Sequence, residues 1–257
     1  MSRLLETSGL SRSFGGLRAV AGLSFAVAEG EILGLIGPNG AGKTTAINLL
    51  SGVIKPNAGR VVFAGEEVTG LPPHHLARKG LVRTFQSTVV YGHRTVRENA
   101  LRGAFLGLYP GVVPAFLGTL RARARRRETE DRIAELLAWF GLDHLGEAIA
   151  GSLPYGRQKS LGMVIALAAR PRLLMLDEPV AGLAAEEADQ VLETIRRIRQ
   201  RGVTLIVVDH NMRFISGLCD RLVVLHHGQE LAQGTPQQVL ADSAVIAAYL
   251  GRGHGAA

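Results

Sequence analysis

Cysteine is nearly absent from this chain: Cys219 is the only one in 257 residues, so no intrachain disulfide can form. Together with a Met1 start that lacks a charged-then-apolar leader and a small-residue cleavage site, this predicts a reducing, cytosolic compartment. Aromatic residues are scarce at 5%, too few for a platform that stacks single-stranded bases, and no DNA-binding module is legible. Nucleic acid is therefore not expected as a partner. Lysine occurs only at Lys43, Lys55, Lys79 and Lys159, so arginine supplies the rest of the 29 basic residues behind a net charge of +7. That balance suits phosphate-rich ligands, nucleic acid or an anionic membrane surface and selects none of them. No internal repeat is present, which excludes solenoids and propellers. With 47% hydrophobic residues the chain is long and apolar enough to bury a sizeable core.

An uninterrupted membrane span is also lacking. Gly103 to Leu120 carries no charge over eighteen residues, but a span needs about 20 mostly apolar residues with every backbone group satisfied. Pro110, Pro114 and four glycines break that requirement. The segment is expected to be an apolar loop or broken helix packed on this protein or a partner.

What is present reads as one α/β unit. Short apolar runs at Glu31 to Ile36, Leu173 to Asp177 and Thr204 to Asp209 alternate with helical patterns such as Glu186 to Arg201, predicting a mostly parallel sheet covered on both faces. Arg221 to Leu225 and Glu230 to Ala232 flank a His-Gly turn and read as a hairpin. Leu4 to Gly9, Leu23 to Ala28 and Arg60 to Phe63 predict a small N-terminal antiparallel layer. Thr95 to Ala169 contains no strand-like run, and Glu128 to Phe140 places Ile133, Leu136, Leu137 and Phe140 on one helical face. An inserted helical subdomain at about 87–168 is expected.

The decisive motif is Gly37-Pro38-Asn39-Gly40-Ala41-Gly42-Lys43-Thr44, a G-x-x-x-x-G-K-[ST] phosphate loop that follows a predicted strand and opens a helix running through Leu50. Glycines let backbone amides wrap a triphosphate, and the helix N-terminus adds partial positive charge. Lys43 reaches the β and γ phosphates, and the Thr44 hydroxyl can hold Mg²⁺. The apolar strand Leu173 to Leu176 ends in Asp177-Glu178. Asp177 is then placed at the sheet edge to hold Mg²⁺ through water, and Glu178 to orient an attacking water and accept its proton.

Five elements in series resemble the ATP-binding subunit of an ABC transporter over nearly the whole chain: the phosphate loop; Gln86 in Arg83-Thr84-Phe85-Gln86, similar to the Q-loop; Leu153-Pro154-Tyr155-Gly156-Arg157-Gln158 in the place of the signature; Asp177-Glu178; and His210, similar to the switch histidine. The resemblance implies that two such subunits close head to tail on two ATP molecules. Each site then combines one chain's phosphate loop with the other's signature. It also implies that Phe14 stacks on adenine, Thr45 touches the α phosphate, Gln86 senses Mg²⁺ and the attacking water, and His210 bonds the γ phosphate. His74, His75, His226 and His227 read as turn or surface histidines, and Cys219 as a buried small hydrophobe.

Two departures stand out. Pro154 replaces the family's signature serine, leaving the amides of Tyr155 and Gly156, a helix expected near Gln158, and the charge of Arg157 to meet the opposing phosphate. Ala184 replaces the acidic or amide residue after Asp177-Glu178.

Within the family the chain is similar to the ATP-binding subunits of branched-chain amino-acid uptake systems. The similarity rests on Arg83-Thr84-Phe85-Gln86, the insertion from Leu101 to Arg127, Leu-Pro-Tyr-Gly, Ala181-Gly182-Leu183, Gly234-Thr235-Pro236 and Ala248-Tyr249-Leu250-Gly251. Subunits serving urea or amides and those driving lipopolysaccharide export share much of this ending. A soluble, non-transport ABC ATPase is a further alternative, opposed by the single phosphate loop and the lack of a long coiled-coil insertion. A structural partner without turnover is opposed by the intact Asp177, Glu178 and His210. The arginines at 121, 123 and 125–127 read as a solvated helical face with Glu128, Glu130 and Asp131 as counter-charges, against a lipid-headgroup patch.

The expected protein is an α/β chain with a P-loop NTPase core and mostly parallel sheet, a small N-terminal antiparallel layer and an inserted helical subdomain. Residues 1–251 are expected to form one domain and 252–257 a tail. Its cofactors are ATP and Mg²⁺. Its partners are integral-membrane permease subunits, a second ATP-binding subunit and, indirectly, a solute-binding protein. Its place is peripheral, on the cytoplasmic face of the membrane.

Overall fold

Strands that are apolar throughout build one sheet, and strands that alternate build another. The computed structural model describes residues 2–84, 90–105 and 120–250, excluding the side chains of 120–122 and 250. It divides into two compact units: residues 1–76 with 173–257, and residues 77–172.

In the first unit, β4 (Ile32–Ile36), β8 (Leu173–Asp177) and β9 (Thr204–Val208) are buried at every position. Continuous apolar runs of this kind are what parallel strands covered on both faces require. With β10 (Arg221–His226) and β11 (Gln229–Gly234) they lie in the order β11-β10-β4-β9-β8. All neighbours are parallel except the β10–β11 hairpin at the edge. Helix α1 (Lys43–Leu50) follows β4 and leads out of this sheet, while α6 (Ala185–Gln200) and α7 (Met212–Leu218) return the chain from β8 to β9 and from β9 to β10. Gly34 in the middle of β4 is a packing necessity: a Cβ there would stand 2.5 Å from Leu222 Cδ2 and 3.0 Å from Cys219 Sγ. Cys219 is buried as expected, and burial pushes its thiol pKa far up.

The antiparallel layer forms around β1 (Arg3–Phe14), which pairs with β2 (Leu17–Gly22), β3 (Ala26–Ala28) and β5 (Ala58–Phe63); β6 (Glu66–Glu67) extends β5. The first strand thus runs five residues beyond the expected end at Gly9, and β2 is an addition to the expected layer. Register shifts between Gly9 and Ser13 break the period-two alternation that marks a strand, and a bulged strand hides in this way. Helices α8 (Pro236–Ala241) and α9 (Ser243–Leu250) close the first unit. Thr235 caps α8 in a reciprocal box with Gln238, and Pro236 occupies the first turn.

The second unit holds the end of α2 (Pro73–Lys79), β7 (Leu81–Arg83), α3 (Val96–Ala104), α4 (Leu120–Trp139) and α5 (Tyr155–Ala168). Two boundaries differ from those expected. Helix α4 starts at Leu120, so the arginine run lies inside the helix and does not precede it. Arg123 and Arg125 to Arg127 are exposed, and Arg126 pairs with Glu130 at 2.9 Å. Straight-chain arginine and alanine sustain a helix by propensity without an apolar stripe, while Ile133, Leu136 and Leu137 are buried as expected. Helix α5 starts at Tyr155, three residues before Gln158, with Pro154 at its N-cap; proline tolerates this position because no helical N–H is needed there. Gly103 lets α3 meet α5, since a Cβ would overlap the Ile165 carbonyl. Asn99, fully buried, accepts from the Tyr91 N–H at 2.8 Å and donates to the Thr95 carbonyl at 2.8 Å, fixing the turn that leads into α3. Most of the uncharged Gly103 to Leu120 segment lies outside the described residues. Among the described residues no helix is long and apolar enough to cross a membrane.

Candidate nucleotide-binding site

The register of the parallel sheet brings its strand ends into one row. Val208 lies opposite Leu35 on one side and Asp177 on the other, and Val224 lies opposite Ile36. The residues that follow, Gly37, Glu178, Asp209 and Leu225, therefore emerge along one edge, where parallel α/β sheets bind ligands.

From β4 the chain enters the phosphate loop. Gly40 and Gly42 take φ +78° and +103°, and a Cβ on Gly37 would overlap the Leu225 carbonyl. These backbones are open only to glycine. Gly42 is the N-cap of α1 and offers no side chain, so the first-turn amides carry no side-chain cap and their dipole faces the loop. Buried Lys43 curls back so that Nζ donates to the carbonyls of Gly37 at 2.6 Å and Pro38 at 3.0 Å. Thr44 is exposed and Thr45 half-buried in the same turn.

At the end of β8, Asp177 is buried. Glu178 then takes φ +49°, uncommon for a residue with a Cβ, while its N–H donates to the Val208 carbonyl at 2.7 Å. That bond is the last rung of the β8–β9 ladder, so the left-handed backbone falls at the residue where the chain leaves the strand. His210 follows β9, and its Nδ1 lies 3.6 Å from Glu178 Oε1 and 3.8 Å from Asp209 Oδ1. The imidazole is 62% exposed and the Glu178 side chain 24%. Asp209, which the sequence does not single out, is buried and braces both sides of this arrangement. Its two oxygens accept the N–H groups of Asn211 at 2.9 Å and Val180 at 3.5 Å. The available signal is an acidic residue ending an apolar strand directly before a histidine.

Phe14 closes β1 and is 45% exposed. The Arg12 guanidinium lies 4.8 Å from the ring centroid and donates to the Lys55 carbonyl at 3.0 Å. The Ser13 N–H is held by Asn57 Oδ1 at 2.8 Å. On its other side the phosphate loop faces a cavity of about 610 Å³ lined by Pro38 to Ala41, the turn histidines His226 and His227, and Ala244, Ala247 and Ala248 of α9. On the same helix, burial pushes the Tyr249 phenol pKa up to about 12.

Gln86 lies outside the described residues. The signature stretch belongs to the second unit and is described within it. Pro154 caps α5 without a side-chain hydrogen bond, and the Gln158 N–H donates to the Pro154 carbonyl at 3.0 Å. Gln158 Nε2 donates to the Leu153 carbonyl at 2.9 Å. The Arg157 guanidinium donates to the Gly141 carbonyl at 2.9 Å, and Lys159 Nζ lies 5.3 Å from the centroid of the half-exposed Tyr155 ring.

A family model described as ABC transporter matches residues 20–181. The chain belongs to the ABC transporter family. A second model, branched-chain amino acid ATP-binding cassette transporter, matches residues 229–255, so the part of this ABC chain that carries the more specific match includes the α9 wall of the cavity beside the phosphate loop. The chain is 41% identical over 253 residues to the high-affinity branched-chain amino acid transport ATP-binding protein BraF of Pseudomonas aeruginosa, covering 98% of this chain and 99% of that one. It is 39% identical over 249 residues to the corresponding protein LivG of Escherichia coli, covering 96% and 98%. It also matches a crystal structure of an ABC transporter's ATP-binding cassette in its ADP conformation, with a TM-score of 0.85 and 30% identity over 98% of this chain and 100% of that one.

Proposed function

We propose that this ABC subunit binds Mg²⁺-ATP, hydrolyses it and powers a permease for branched-chain amino acids from the cytoplasmic face of the membrane. The observation that carries the reading is the placement of Glu178: at the end of β8, on the sheet edge that bears the phosphate loop, its carboxylate stands 3.6 Å from His210 Nδ1. The substrate class follows the relatives and the family match over residues 229–255.

In this reading the γ phosphate draws Lys43 Nζ away from the Gly37 and Pro38 carbonyls, and the amides of residues 40–44 take the phosphate oxygens. Thr45 meets the α phosphate, and Phe14 stacks on adenine. Glu178 accepts a proton from water as the water oxygen bonds to the γ phosphorus and the bond from that phosphorus to the β–γ bridging oxygen breaks. His210 donates to a γ-phosphate oxygen, and Gln86 contacts the water. Thr44 and Asp177 present a hydroxyl and a carboxylate, hard oxygen donors suited to Mg²⁺, which when bound offsets phosphate charge.

The same proposal treats residues 1–251 as one ATP-binding domain with a helical insertion at about 87–168. Two ATP-binding subunits pair on a permease that receives its solute from a separate binding protein. The test is reconstitution in proteoliposomes with co-purified membrane subunits and binding protein. ATP-dependent leucine uptake that vanishes with Lys43→Ala supports the reading. Uptake of urea, or no associated membrane subunit at all, contradicts the substrate class or the transport role respectively.

A further inference from the structure

Between the strand pair that carries Phe14 and the phosphate loop lies the turn His227-Gly228, which joins β10 to β11. The Gly228 N–H donates to the Ala41 carbonyl of the phosphate loop at 2.9 Å, and the Gly228 carbonyl accepts the Ala21 N–H of β2 at 2.8 Å. One residue is thus bonded to the loop on one side and to the Phe14 hairpin on the other. The three backbones are also in contact. Gly228 has φ +77°, and a Cβ on it would lie 2.7 Å from the Ala19 carbonyl oxygen and 3.1 Å from that of Arg18. A Cβ on Gly42 would overlap the same Ala19 carbonyl and come within 3.4 Å of Gly228 Cα. His227 takes φ +48°, an uncommon conformation for a residue with a Cβ. A hairpin turn alone needs no hydrogen bonds outside its own two strands.

We propose that Gly228 is a positioning residue for the nucleotide, setting the spacing between the hairpin that bears Phe14 and the loop that bears Lys43. The inference rests on the reading that Phe14 stacks on the base. A nucleotide touches both ends at once, so a fixed spacing spares it the cost of ordering one end after the other binds. A turn that shifts leaves each end able to bind its own part while the gain from joining them is lost.

The experiment is calorimetry on the full chain with Mg²⁺, comparing ADP, which spans both ends, with inorganic pyrophosphate, which reaches only the loop. Gly228→Ala is expected to weaken ADP binding by about tenfold or more while pyrophosphate binding stays within about twofold. A chain with one glycine inserted between His227 and Gly228 disturbs the same bonds without a new side chain and should show the same split. It decides alone if Gly228→Ala fails to fold by circular dichroism. Phe14→Ala should bring ADP affinity toward that of pyrophosphate. Unchanged ADP affinity in the turn variants, with Phe14→Ala impaired, overturns the role of Gly228 and leaves base stacking intact. Equal loss of both ligands shows that the turn merely holds the loop's fold and also overturns the proposal. Unchanged ADP affinity in Phe14→Ala removes the stacking reading and this proposal with it.

Discussion

His210 Nδ1 stands 3.6 Å from Glu178 Oε1, and the two residues come from adjacent parallel strands whose ends are in register. The histidine is the more exposed partner and the carboxylate the more covered. A ligand arriving at the sheet edge therefore meets the imidazole on the solvent side, with the carboxylate behind it.

Lys43 is the first residue to test within that edge. Replacing it by alanine removes the cation that is expected to meet the terminal phosphates. Nucleotide affinity should fall by about 2–3 kcal/mol, the scale of a charge-assisted contact. Calorimetry with ADP and ATP checks this, and wild-type affinity would show that the loop amides suffice.

Helix α6 carries half of a capping box. The Glu187 carboxylate accepts the Ala184 N–H at 3.0 Å, but Ala184 has no hydroxyl to return the bond. Ala184→Ser should complete the box and stabilise the chain by about 1 kcal/mol, read as a higher denaturation midpoint at unchanged slope.

Pro154 at the N-cap of α5 allows a paired prediction. Pro154→Ser places a hydroxyl where it can accept the N–H of Gly156 or Arg157, stabilising the helix by about 1 kcal/mol. In a heterodimer whose partner carries a serine signature, the same change should raise hydrolysis at the partner's site only. Carrying Glu178→Gln in this chain isolates that site. No response would show that the amides at the start of α5 already serve the opposing phosphate.

Cys219 should be silent toward thiol reagents. Its side chain is buried and its thiol pKa is pushed up by burial, with Asp220 and Asp209 adding to the effect, so almost no thiolate forms at about pH 8. Labelling with iodoacetamide should require unfolding. The consequence is practical: a Thr88→Cys variant can then report crosslinking to permease loops without a native background. Permease loops are expected to dock near Gln86 to His93, and failure of that crosslink in an intact complex would rule out this docking place.

How much was legible follows from where each residue's partners lie. The phosphate loop could be read because its function rests on consecutive backbone positions, and Asp177-Glu178 because an apolar strand points at them. Asp209 and Gly228 could not, since Asp209 engages Val180 and Gly228 engages Ala41 and Ala21, partners distant in sequence. The far half of β1 escaped because the bulge near Gly9 to Ser13 breaks its alternation, and β2 escaped with it as the strand that pairs with that half. The start of α4 escaped because arginine and alanine build helix without an apolar stripe, and that of α5 because Pro154 reads as a breaker although it caps.

The most direct test of the catalytic account is Glu178→Gln, measured for ATP affinity and for turnover in the same preparation. The amide keeps the size of the side chain and cannot accept the water's proton. The account predicts ATP affinity within about twofold of wild type and turnover reduced by about 10² or more, the lower range of a general base's contribution. Hydrolysis at the wild-type rate would contradict it and remove Glu178 from the chemistry.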